Sequence, residues 1–322
     1  MTEPLPPAGK ITVGISACLL GERVRYDGGQ KLDRFLVETL GCYFTYVPVC
    51  PEVECGLPVP RESMHLEGDA ADPRLVTLKT REDHTVRMRE WVARRVNELR
   101  TAGLHAYIFK SDSPSCGLFR VKLFTEHDRP AGVGAGLWAR VFAGAFSGLP
   151  MEEEGRLCNP DIRENFIERV FAHKRFRDEV GAAPSADALM RFQARNKLLI
   201  MAHAPGAVAE LGSLAAATRP ETAAEQAADY EQRLLAALVE QATVPRHVNV
   251  LQHMLGYFRE RLPDGDRREL EDAILQYQRE LVPLIVPITL FRHFIRACGE
   301  PYLAEQTYLN PHPAELKLRN HA

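Results

Sequence analysis

The apolar residues of this chain change their period near residue 155, and that change limits the fold more than any single motif does. Before it, short β-branched runs alternate with helical stripes. "KITVGISACL", "CYFTYVPVC" and "LHAYIFKSDS" read as strands, with "AFSGLPM" as a closing one. "LDRFLVETLG" repeats apolar residues at helical spacing (Leu32, Phe35, Leu36, Leu40) and stops at Gly41. "REDHTVRMREWVARRVNELRTAG" predicts a long amphipathic helix with Val92, Val96 and Leu99 on one side, and "AGVGAGLWARVF" a glycine-rich helix. Strands alternating with helices imply an α/β fold, here a mostly parallel Rossmann-like sheet with helices on both faces.

Beyond that point strand alternation disappears. Asn159 as N-cap and Pro160 at the first helical position open a helix striped by Ile167, Val170 and Phe171. Further helices are expected at about 185–203, 205–217, 221–241, 245–262, 266–282 and 288–298. Pro283 and Pro287 break the run between the last two, and "AAATRPETAAEQAA" reads as a loop. The chain therefore divides into an α/β domain, residues 1–155, and an all-α domain, residues 156–322.

At 322 residues the chain exceeds one average domain, and each half is long enough to bury a core. No apolar run approaches the roughly 20 residues that span a bilayer. "MTEPLPPAGK" lacks the basic start and apolar centre of a secretory signal, so a short flexible lead and a cytoplasmic location are expected. A net charge of −3 gives no global attraction to nucleic acid. Seven cysteines, odd in number and thinly spread, do not make a disulfide framework, so each is either packed or chemical.

Their placement separates them. Cys18 falls at the end of the first strand, Cys50 at the end of the second, and Cys116 in the loop after the third. In an open parallel sheet, ligands bind in the crevice beyond the carboxyl ends of the strands, so three distant loops would bring these cysteines to one mouth. Pro114 bends the "SDSPSCG" loop, and Gly117 would let its backbone approach a bulky ligand. Cys18 leads into a polar loop with Arg25, Tyr26 and Asp27, the last a candidate for substrate contact. Three soft thiolates favour zinc or an iron–sulfur cluster over hard cations, and three ligands leave one metal position open. Cys55 could be a fourth ligand, but its place past Glu52 suits packing or a supporting role better. Plain packing is the reading for Cys42, Cys158 and Cys298.

"SACLLG…VRYDGG", "CPEVECGLPVPRE" and "SPSCG" resemble the three signature segments of the thiouracil and thiouridine desulfidases. "RNKLLIMAH", "GYFRERL" and "QTYLNPHPAELKLR" are similar to the helical domain fused to that module in tRNA 4-thiouridine desulfidases. The resemblance implies a 4Fe–4S cluster held by only three cysteines, Cys18, Cys50 and Cys116. It implies Glu52 as the catalytic acid and Ser113 as the catalytic serine, with Cys55 as a bystander. The open iron would bind the thiocarbonyl sulfur, and Glu52 or Ser113 would position a water to attack the ring carbon, leaving uridine. The plainer alternatives are that Glu52 caps the following turn and Ser113 braces the loop.

From Leu157 onward there are 20 Lys and Arg against 22 Asp and Glu, so any tRNA contact must rest on local patches. Candidates are "HKRFR" (173–177), Arg191 and Arg195 on one helix face with Lys197, and "LKLRNH" near the end. His203, His247 and His253 would make a metal site only if the fold gathers them; ordinary hydrogen bonding is the plainer reading. Three functions stand: a desulfidase of 4-thiouridine in tRNA, a desulfidase of free thiouracil or another small thiocarbonyl with a structural helical half, and a cluster-bearing nucleic-acid sensor. Glu52 and Ser113 favour the enzymes, since a sensor needs neither.

Overall fold

The β-branched run "ITVGIS" forms a strand whose side chains are nearly all buried, and the first sheet is assembled around it. The computed structural model describes residues 9–320. The N-terminal lead (1–8) and His321 of the last basic segment lie outside the described residues. The strands are β1 (Ile11–Ser16), β2 (Phe44–Val49), β3 (Met64–Glu67), β4 (Arg74–Thr77), β5 (Ala106–Phe109), β6 (Val121–Phe124), β7 (Pro130–Gly134) and β8 (Met151–Glu153). One sheet has the order β2-β1-β5-β8 and is parallel throughout, with Ser16 level with Val49 and Ile15 level with Ile108. The chain leaves β1 on one side to form β2 and returns to the other side for β5. This reversal is the kind of switch point at which α/β sheets open a crevice.

Three helices accompany the sheet: α1 (Pro51–Glu54), α2 (Thr85–Arg100) and α3 (Leu137–Ala145). Met88, Trp91, Val92, Val96 and Leu99 form the buried stripe of α2, which joins Tyr107, Trp138 and Phe142 in one apolar core. Gly14 sits where a Cβ would lie 2.3 Å from the Tyr107 ring, so β1 and β5 meet at a distance that only glycine permits.

A second sheet, β4-β3-β6-β7, was not expected from the sequence. It joins two antiparallel hairpins through a parallel β3–β6 contact. The glycine-rich segment read as wholly helical is β7 followed by α3, and "AFSGLPM" is a turn that only reaches a strand at Met151. "LDRFLVETLG" forms an irregular pair of helical turns, Phe35–Thr39 and Leu40–Cys42, instead of a regular helix.

The second unit begins at Pro160, against the first unit's Gly9–Asn159. It is all helical: α4 (Pro160–Phe176), α5 (Ala186–His203), α6 (Ala207–Ala216), α7 (Ala223–Val239), α8 (Val244–Gly256), α9 (Asp264–Gln278), α10 (Ile285–Cys298) and α11 (Pro301–Ala304). Pro287 does not break α10; it lies in the first turn, where a missing N–H leaves no helical bond unmade. The alanine run is mostly the end of α6 and the start of α7. A single apolar cluster from Ala172 to Leu309 makes the core of this unit. Among the described residues no helix is long and apolar enough to cross a membrane.

Candidate active site

Each of the three cysteines is placed by a different local device at the carboxyl end of adjacent strands. Cys18 lies in the turn Ala17–Leu20 directly after β1, where its carbonyl accepts from Gly21 and Lys31. Cys50 precedes α1 in extended conformation; Pro51 starts the helix, and the Glu54 carboxylate accepts from the Cys50 N–H at 2.8 Å. Cys116 follows β5 in a loop whose Pro114 and Ser115 carbonyls take the first N–H groups of α3, from Leu137 and Trp138. Gly117 serves the loop itself and not a ligand, because a Cβ there would lie 2.3 Å from Val121 and 2.9 Å from the Ser113 carbonyl.

All three line one cavity of about 440 Å³, together with Glu52 and Ser113. Glu52 is buried. It accepts from the Cys50 thiol at 3.6 Å and, through its other oxygen, from the Ser113 hydroxyl at 3.4 Å. The cap of α1 is made by Glu54, which leaves the Glu52 carboxylate to the cavity. Ser113 has both expected roles at once, since its oxygen also accepts from the Cys116 N–H at 3.1 Å.

The thiols are held protonated by their surroundings. Burial, then Glu52, pushes Cys18 up to about 11. The same causes push Cys50 up further, and Cys116 rises well above an ordinary thiol through burial, Glu52 and the other two cysteines. At neutral pH, three buried thiols around a carboxylate become thiolates when a cationic group enters among them. The donor set therefore fits a soft metal centre. Among the described residues, the sets with ligand atoms all within 4.8 Å of one another are His65–Glu67–Asp128 and Glu164–Glu168–His312.

Arg61 and Lys110 also line the cavity, and sequence reading gave neither a role. Arg61 stands 3.7 Å from the Glu52 carboxylate and is anchored to the Val24 carbonyl at 3.0 Å. Its only signal was its place at the end of "CPEVECGLPVPRE". Lys110 pairs with Glu154, and its N–H donates to Ser16 at 2.9 Å. Asp27 does not line the cavity. It is exposed, accepts from the Gly29 N–H at 2.9 Å and faces Arg25, while Arg25 and Tyr26 themselves form the wall. The Cys55 thiol donates to the Glu52 carbonyl at 3.2 Å and packs on the core, outside the cavity. Cys42 and Cys158, read as packed, are exposed.

Residues 13–154 match the family model described as 2-thiouracil desulfurase. The first unit holds a 2-thiouracil desulfurase-like domain. Residues 197–313 match a model described as protein of unknown function, DUF1722. The chain is 29% identical over 134 residues to the uncharacterized protein YbgA of Escherichia coli (strain K12), covering 41% of this chain and 79% of that one. A solved structure titled as a 4Fe-4S-dependent thiouracil desulfidase, TudS, is similar at 28% identity with a TM-score of 0.38, covering 46% of this chain and 94% of that one.

Outside the desulfurase-like domain, much of the expected basic surface turns inward. His173 and Lys174 are buried and paired with Glu231 and Asp178; Arg175 reaches the Pro311 carbonyl, and Arg177 pairs with Glu231. The reason is packing: this end of α4 runs through the core, and its charges are met by Asp178 one turn on, by Glu231 of α7 and by the Pro311 carbonyl. In the last basic segment Arg319 is buried between Glu164 and Glu168, and Leu316 and Leu318 are core. Arg191 and Arg195 do reach solvent, but pair with Asp187 and Glu179; Lys197 is half-buried. The three histidines form no common site. His203 bonds Glu168 and the Glu240 carbonyl, His247 bonds the Tyr308 hydroxyl, and His253 packs on Tyr257.

Proposed function

We propose that the first unit hydrolyses the carbon–sulfur bond of a thiolated uracil ring, and that this ring is 4-thiouridine of tRNA. The observation that carries the chemistry is the Glu52 carboxylate, held between the Cys50 thiol and the Ser113 hydroxyl in the cavity where three cysteines meet. The reaction balances as thiocarbonyl plus water giving carbonyl plus hydrogen sulfide, with no net electron transfer. The three thiols fit a 4Fe–4S cluster, which when bound would supply a Lewis-acidic iron with no protein ligand. Glu52 takes the proton of the attacking water, and Arg61 steadies the carboxylate from 3.7 Å. Ser113 keeps that carboxylate turned into the cavity. A volume of about 440 Å³ is within the range of small-molecule pockets.

The tRNA substrate rests on the resemblance of the helical segments to the domain fused in tRNA 4-thiouridine desulfidases. A free thiobase is the second reading, and one observation favours it: His173, Lys174, Arg175 and Arg319 spend their charge on partners inside the helical unit. The deciding experiment loads the protein with iron and sulfide under anaerobic conditions and follows sulfide release from thiolated tRNA and from free 2-thiouracil. Glu52→Gln should keep its iron and lose about two orders of magnitude in rate on either substrate. A Glu52→Gln enzyme with full turnover removes the carboxylate from the chemistry, and a wild type active on the free base alone removes tRNA.

A further inference from the structure

We propose, resting on the desulfidase reading of the cysteine cavity, that Arg61 donates to the carbonyl oxygen a thiolated uracil keeps and thereby selects uracil-type over cytosine-type rings. Arg61 is held more firmly than a partner of Glu52 needs to be. Its backbone N–H donates to the Tyr26 carbonyl at 2.8 Å, and its Nη1 to the carbonyls of Val24 at 3.0 Å and Pro58 at 3.4 Å. The side chain is 8% exposed. These bonds tie the guanidinium to two segments of the wall, so its direction is set before a ligand arrives.

Nη2 is the observation that points to a ligand. It stands 3.7 Å from Glu52 Oε2, beyond hydrogen-bond reach, and makes no hydrogen bond among the described residues. Nε is also unbonded but is sealed by the surrounding protein, whereas Nη2 is not sealed. Arg61 lines the cavity, so the two N–H groups of Nη2 are open to what enters it. A nearly buried charged donor without an acceptor is costly, and a ligand oxygen removes that cost. The other cations of the cavity have no such donor to spare inside it. Lys110 has three N–H groups, and the Ser111 carbonyl, the Ser111 hydroxyl and Glu154 take all of them. Arg25 faces Asp27 and the Tyr26 ring, and Lys31 is exposed.

The ring supplies the matching acceptor. A thiouracil carries one thiocarbonyl and one carbonyl, separated by a single ring nitrogen. Glu52 and Arg61 are neighbours on the wall, so a ring that turns its thiocarbonyl carbon to a water on Glu52 brings its carbonyl oxygen to a donor beside that carboxylate. The bond draws electrons from the ring and leaves the thiocarbonyl carbon more open to attack. A guanidinium can only donate. 2-Thiocytosine presents an amino group where 2-thiouracil has the carbonyl, so donor meets donor and Nη2 stays unpaired. A site built around a hydrogen bond rejects the analogue that cannot make it. Either thiolated uracil, free or within tRNA, keeps such a carbonyl, so the selection is the same for both substrates.

Calorimetric titration of uracil and of cytosine into the full-length, iron-loaded protein tests the assignment without turnover, and sulfide release from 2-thiouracil and 2-thiocytosine tests it with turnover. The wild type should favour the uracil member of each pair at least about tenfold, the scale of a hydrogen bond to a charged group. Arg61→Gln should keep its iron and lose the preference, because a glutamine amide can turn either its oxygen or its N–H groups to the ring. Arg61→Lys, which like arginine can only donate, should restore part of it. A wild type that binds neither base or both equally, or an iron-bearing Arg61→Gln protein with its preference intact, would overturn the proposal. A wild type that prefers uracil yet releases no sulfide supports the role of Arg61 and removes the desulfidase reading instead. The base preference is read on the wild type, so it decides even if a variant fails to fold.

Discussion

Glu52 raises the pKa of every thiol that meets it, so removing the metal should expose a pH liability. Without a cation, Cys18 titrates near 11 in the folded chain against 9.0 for an ordinary thiol, burial being the main cause. A raised pKa means the protonated thiol is favoured by folding, so its contribution is complete below pH 9 and is lost as pH climbs toward 11. Urea midpoints of the metal-free protein should therefore fall between pH 9 and 11, while the metal-loaded protein, whose thiols are already deprotonated, should show no such step from this cavity. At the same scale, Cys18→Ala, Cys50→Ala and Cys116→Ala should each lose bound iron and labile sulfide. Cys55→Ala should keep both, because its thiol is turned to the Glu52 carbonyl. A Cys55→Ala protein without iron would place a fourth sulfur in the ligand set.

Between residue and domain, the decisive element is the 113–117 loop, which presents Cys116 and at the same time ends the free N-terminus of α3. Gly136 has no room for a side chain: a Cβ would lie 2.4 Å from the Ser115 carbonyl oxygen. Gly136→Ala should cost about 1–3 kcal/mol in urea unfolding and lower iron content, since backbone must give way. Gly144→Ala, in open space on the same helix, should be neutral or stabilising by up to about 1 kcal/mol. Equal effects of the two would mean the loop is not braced there. The parallel sheet and the mouth of the cavity were legible because β1, β2 and β5 are apolar runs rich in β-branched or aromatic residues and end at turn residues. The second sheet was not legible. Its strands are four or five residues long, and β3 buries Glu67, a charge made tolerable only by Arg74, Arg81 and His65. The 173–177 cluster misled for the same reason: Glu231, which neutralises His173 and Arg177, lies far along the chain on α7.

Each unit has a core drawn wholly from its own residues, Val49 to Leu149 in one and Ala172 to Leu309 in the other. Residues 1–159 expressed alone should consequently fold and keep activity on free thiouracil, while activity on thiolated tRNA should drop if the helical unit delivers it. Replacing Arg191, Arg195 and Lys197 by Ala in the full chain should flatten the salt dependence of tRNA binding by a slope of roughly one per lost phosphate contact. Full tRNA activity from the fragment would pass the lead to the free-base reading. The order β2-β1-β5-β8 has a last consequence, in time instead of space. During synthesis Cys18 and Cys50 leave the ribosome well before Cys116, and β5 must insert beside β1, on the edge that β2 leaves free. A nascent chain that ends before Cys116 holds two of the three cavity cysteines, so the complete donor set forms only when β5 joins the sheet.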